Sequence, residues 1–141
     1  MIHTKANLGK RFLAGLIDYT IIFSFFYAFV YSMGTQDENG NYSVTGAPAL
    51  IPILFWFFFT IILEAFYGAT VGNSIVGLKP KSLTTNNGEL SFSQSIKRHL
   101  LDPFDMFPFG LIGFISIKNT NLNQRLGDIW AKTIVVENSI K

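Results

Sequence analysis

Five ionisable residues stand in or beside apolar stretches of this chain: Arg11, Asp18, Glu64, Arg125 and Asp128. In "RFLAGLID" Arg11 and Asp18 are seven residues apart. On a helix that is nearly two turns, so both point the same way, about 10 Å apart along the axis. A charged side chain at the bilayer centre costs about 2.5–3.5 kcal/mol. Asp18 must therefore be paired, hydrated or protonated. Two chemistries follow from its type and place. It is either a packing acid, held by Arg11 or by an arginine of the tail, that sets helix register, or a carboxylate that handles a proton or cation.

Glu64 lies on a polar line with Thr60 and Gly68 at spacing four, and reads as an interfacial acid within reach of Arg11. In "QRLGDIWAKT" Arg125 and Asp128 are at spacing three and share a helical face. As a surface pair they are worth about 0.2–0.5 kcal/mol. Joined to the intramembrane charges they belong to a network that needs every member paired. Asp102 and Asp105, on either side of Pro103, read as a helix-breaking turn. His3 and His99 read as isolated, and Lys97, Arg98 and His99 as candidates for headgroup contact.

The elements that position these residues follow from the hydropathy pattern. Of 141 residues, 49% are hydrophobic and only 14% charged, well below the quarter typical of soluble domains, which points to an integral membrane protein. Phe12–Met33 is an apolar run of about 22 residues, enough to cross a core of about 30 Å. It is too long for a signal-peptide core and is expected to be retained as a transmembrane helix. Ala49–Tyr67 is expected to be the second. Between them "GTQDENGNYSVTGAP" reads as a loop. Residues 68–98 form a polar connector in which "SIVGLKP" reads as a strand. "SFSQSIKRHLL" reads as an amphipathic helix capped by Ser91 or Ser93. Residues 99–117 are apolar but interrupted by Asp102, Pro103, Asp105 and Pro108. In the tail, 118–141, Gln124–Lys132 reads as a short helix and "TIVV" as a strand.

Lys and Arg mark the cytoplasmic side of short loops. Lys5, Lys10 and Arg11 place the N-terminus there, Lys79, Lys81, Lys97 and Arg98 the connector, and Lys118, Arg125, Lys132 and Lys141 the tail. A third full span would put that tail outside. Residues 99–117 are therefore expected to form a broken or re-entrant segment turning near Pro108–Gly110. Such a return lets "SIVGLK" and "KTIVV" pair on one side. The expectation is a single domain over 1–141, an all-α membrane protein with two full spans, a broken third segment and a short two-strand pairing.

The composition also excludes function classes. A net charge of +2 with no basic face argues against nucleic acid. The absence of cysteine removes disulfides, thiolate metal sites and cysteine nucleophiles. No nucleophile–base–orienter set and no phosphate-cradling loop is visible, so neither an enzyme nor a cofactor is expected.

The charged residues together form a recognisable pattern. The chain resembles the RDD family of small bacterial membrane proteins, named for one arginine and two aspartates. "RFLAGLID" is similar to the family's Arg-x-x-Ala-x-x-Ile-Asp and contributes Arg11 and Asp18. "GATVGNSIVGL" is similar to its Gly-x-Thr-x-Gly-Lys-x-x-x-Gly-Leu, with Asn73 in place of the lysine. "RHLLDPFDMFPFGLIG" has Asp105 and Pro108 in register, and "RLGDIWAKTIVV" brings the second aspartate, Asp128. The resemblance covers 11–136. With the basic segments inside, the expectation is an inner-membrane protein with its N-terminus in the cytoplasm, working as a homo-oligomer or with a partner membrane protein, since two spans are too few to build a gated path alone. Its role would be an accessory part of a membrane assembly or, as proposed for some members, a transporter.

Overall fold

The structure is a computed structural model that describes residues 4–138. His3 and Lys141 lie outside the described residues. It is mostly helical, and among the described residues two helices, Leu8–Met33 and Ala47–Tyr67, are long and apolar enough to cross a membrane. The first span begins four residues before the apolar run, because Leu8, Gly9, Lys10 and Arg11 continue the helix. The second opens with a 3-10 turn, Ala47–Ala49, where Pro48 lacks only a backbone donor that would be unpaired anyway. It ends at Gly68, whose φ of +82° is open to glycine at little cost.

The spans meet through aromatic stacking. The Phe25 and Phe55 rings lie 3.8 Å apart between centroids and nearly parallel, and Phe59 stacks on Phe55. So "FWFFF" is not purely lipid-facing bulk, although Phe58 does face outward. Overlapping its end, Phe58–Ile62 forms a π-turn. This extra residue shifts the register, so that Thr60 and Glu64 are both buried. The loop between the spans contains a small hairpin, Thr35–Gln36 with Tyr42–Ser43, that the polar composition alone did not suggest.

The remaining elements form a polar layer beside the N-terminal end of the first span. Thr70 caps a helix, Val71–Ile75, by accepting from the Asn73 N–H at 3.3 Å. Ser74 and Ile75, expected in a strand, belong to that helix instead. Gly77, at φ +71°, redirects the chain, and the strand is Leu78–Ser82. It pairs antiparallel with Thr133–Glu137, Leu78 opposite Glu137 and Ser82 opposite Thr133. Ser91 and Gln94 form a capping box that starts the helix Phe92–Leu100. Residues 99–117 are broken as their prolines require, into the end of that helix, Asp102–Asp105 and Leu111–Asn119. The tail helix is Leu126–Ala131, slightly shorter than read from sequence.

The tail returns to the N-terminal end of the first span. Lys10 pairs with Glu137 at 3.0 Å, and the Asn123 side-chain amide donates to the Thr4 carbonyl at 2.8 Å. These contacts and the strand pairing put residues 4–10, 78–82 and 133–137 on one side of the molecule.

Candidate functional site

At the junction of the spans and the polar layer lies a buried charge network centred on Arg98, which is only 1% exposed. The helix Phe92–Leu100 packs along the π-turn of the second span, where the Ser95 hydroxyl donates to the Ile61 carbonyl at 3.1 Å. This docking aims Arg98 at two carboxylates that are both fully buried. Its Nε donates to Glu64 Oε1 at 2.8 Å, and its Nη1 donates to Asp128 Oδ1 and, at 3.1 Å, to Thr133 Oγ1. Arg98 thus joins the second span to the tail. Arg11 joins the first span to the same tail: Nη1 contacts Asp128 Oδ2 at 3.2 Å, and Nη2 donates to the Asn123 carbonyl at 2.9 Å.

Around this core sit three further groups. His99 is wedged between two acids, with Nδ1 2.7 Å from Asp102 Oδ2 and Nε2 3.3 Å from Glu64 Oε1. Arg125 Nη1 lies 3.1 Å from Asp102 Oδ1, nearer than to its helix neighbour Asp128, at 3.9 Å. Asp105 caps the tail helix, accepting from the Leu126 and Gly127 N–H groups at 3.0 Å each. With His99 protonated, the bases Arg11, Arg98, Arg125 and His99 match the acids Glu64, Asp102, Asp105 and Asp128 one for one.

Asp18 has a different role from either arginine pairing considered from sequence. Its Oδ1 accepts the Gly72 N–H at 2.6 Å, so it caps the helix Val71–Ile75 from across the fold. No salt bridge to Asp18 occurs among the described residues. The stripe Arg11–Ala14–Gly15–Asp18 is a close-packed face, but not against the second span. Gly72 lies against the Ala14 carbonyl, and the Met106 side chain lies against Gly15.

Three expectations are corrected by this geometry. Glu64 pairs with Arg98, not Arg11. Arg98 and His99 are buried inside the network rather than facing headgroups, and His99 is not isolated. Asp102 and Asp105 are partners in the network rather than only turn residues. Sequence reasoning overlooked Arg98 as a network member because it sits in a basic trio that resembles a membrane-edge cluster. The available signal was periodicity, since Gln94, Ser95, Arg98 and His99 share one helical face.

Electrostatics follow from the arrangement. Burial would raise the Asp128 carboxyl, but Arg98, Arg125 and Arg11 outweigh it and hold it below the usual range. Burial alone would lower His99, but Asp102 and Glu64 raise it to about 9. The folded value is above the unfolded one, near 6.5. The stabilisation from His99 is therefore fully present below about pH 6.5 and lost as pH rises through about 9. We expect reconstituted protein to lose up to about 3 kcal/mol of stability across that window. The His99→Gln variant should show a flat profile there, measured by chemical unfolding at fixed ionic strength. An equal slope in the variant would assign it to other groups.

The RDD family matches residues 5–132. No curated protein and no solved structure matches the chain. The match spans nearly the whole sequence, and with the two apolar helices it points to a membrane protein: the chain belongs to the RDD family.

Proposed function

We propose that this is a structural or accessory protein of a bacterial inner membrane, in which the buried charges lock a folded tail onto two spans. The observation that carries this reading is Arg98, fully buried and shared between Glu64 of the second span and Asp128 of the tail. Buried ionic groups contribute little net stability but enforce one arrangement, because any other leaves charges unpaired. In this reading residues 99–117 return to their side of entry, the N-terminus and tail are cytoplasmic, and the locked layer presents a fixed surface to a partner membrane protein or a second copy. It involves no catalysis and no cofactor.

A second reading, proton or cation exchange through an oligomer, is favoured by one observation. Asp18 is 6% exposed and is held by a backbone amide rather than by a base. Vesicles carrying wild-type protein and a pH gradient discriminate the two. The expected result is no cation flux above protein-free vesicles, with trypsin unable to cut the tail. Flux that Asp18→Asn abolishes while the tail stays protected would establish exchange and end the structural reading.

A further inference from the structure

Residues 102–117 carry an apolar surface that the charge network does not use. We propose that this segment is an in-plane anchor, immersed in the acyl chains of the leaflet beside the N-terminal end of the first span. The proposal rests on the locked-tail reading, since the same contacts hold the segment in place.

Its length forbids a crossing. Leu111–Asn119 has nine residues, about 14 Å of helix, roughly half of a bilayer core. Both ends are tied to the polar layer. Asp102 meets His99 and Arg125, Asp105 caps the tail helix, and the Ser116 hydroxyl donates to the Gln124 carbonyl at 2.9 Å. The chain therefore leaves that layer and comes back to it. The outward face of the excursion is aromatic: Phe104 is 61% exposed, Phe107 66% and Phe109 97%. No charged residue occurs from Met106 to Ile117.

Two observations select lipid as the occupant. The first is continuity. Met106 packs on Gly15, which sets this face beside Phe12 and Leu16, themselves exposed on the first span. One apolar surface thus runs from the long first helix onto the corner. The second is conformation. Phe109 has φ of +54°, followed by Gly110 at +81°. A bulky side chain is unfavourable in the left-handed region. Here that conformation turns an aromatic ring almost wholly outward, an arrangement that an apolar medium stabilises and water does not. Lys118, the first charged residue after the segment, places its ammonium over the Phe114 ring at 4.8 Å, a cation–π contact that covers its charge at the segment's end.

The absence of cysteine makes the test direct. Phe107→Cys and Phe109→Cys, each labelled with an environment-sensitive nitrobenzoxadiazole, are reconstituted in phosphatidylcholine–phosphatidylglycerol vesicles. The lipids carry spin labels at shallow or deep acyl positions. The expected result is blue-shifted emission at both sites, quenched more strongly by the shallow label than by the deep one and unaffected by iodide. Dominant quenching by the deep label would mean a third span. Iodide quenching would mean an aqueous loop, and shielding from every quencher a protein interface; each overturns the anchor. Should either variant fail to accumulate, Leu111→Cys, at a position 51% exposed, makes the same measurement. Trypsin protection of the tail, read in the same samples, reports on the lock independently of the anchor.

Discussion

Replacing Arg98 with methionine is expected to destabilise the protein by about 3–5 kcal/mol, the range for removing one partner of a buried ion pair. The side chain volume is nearly kept, so packing changes little. The loss comes from two carboxylates, Glu64 and Asp128, each 0% exposed, which lose their shared cation. Glu64 keeps a hydrogen bond from Ser95 and the His99 contact, while Asp128 keeps Arg11 and the Arg125 N–H. These residual partners set the lower end of the range. Arg98→Lys should recover only a small part, because one ammonium cannot reach Glu64 and Asp128 in the two directions that the guanidinium fork serves. Equilibrium unfolding in lipid, together with trypsin sensitivity of the tail, reads both effects. A loss below about 1 kcal/mol, the size of an exposed pair, would show that these acids are hydrated or neutral and that the tail is held by something else.

Gly72→Ala should cost about as much, for a steric reason. A Cβ at Gly72 would fall on the Ala14 carbonyl oxygen and within 2.8 Å of Asp18 Oδ2. The obstacle is backbone inside the long helix Leu8–Met33, so it cannot give way cheaply. The cap helix must move off, and Asp18 loses the Gly72 N–H. Overpacking costs about 1–3 kcal/mol and a hydrogen bond to a charged group about 1.5–3 kcal/mol. A combined loss of about 3–5 kcal/mol is expected from the same unfolding measurement. Gly9→Ala is the control, since a Cβ there meets nothing within 4 Å and alanine favours the helix. Ala14→Gly in the Gly72→Ala background should rescue little, because it removes a methyl group and leaves the carbonyl. Full rescue would mean that the clash is with the side chain and that the close approach of backbones is not the controlling contact.

These effects explain why two motifs in the chain belong together. In "GATVG", Gly68 ends the second span, Thr70 caps the next helix and Gly72 lets that helix touch the first span. In "RFLAGLID", Ala14 meets that contact with its carbonyl, Gly15 leaves room for Met106, and Asp18 accepts the amide that the approach brings. Spacing showed that Arg11 and Asp18 share a face; it did not show that they serve different partners.

Local physics made much of the architecture legible from sequence. Apolar length marked the two long apolar helices, a serine at 91 or 93 marked the start of the arginine helix, and Pro103 with Pro108 marked a segment that could not run as one helix. β-branched residues marked the strand at Thr133. Each of these depends on residues within a few positions of one another, which is the range over which helix periodicity, capping and backbone restriction act.

The choice of partners was a different matter. Glu64 with Arg98, Arg98 with Asp128 and Arg11 with Asp128 are separated by 34, 30 and 117 residues. Charge type permits nearly every acid to pair with nearly every base, so composition and spacing left the pairing open. The tertiary structure decided it through packing. The π-turn rotates Glu64 toward Arg98, Gly72 seats the cap helix on Asp18, and the strand pairing carries Asp128 to the arginines. The sequence by itself determined that the chain has two helices long and apolar enough to cross a membrane, polar segments after them and ionisable groups needing partners. Only the fold determined which group holds which, because a buried charge is stabilised by the atoms within about 4 Å of it, and those atoms come from elements that the sequence keeps far apart.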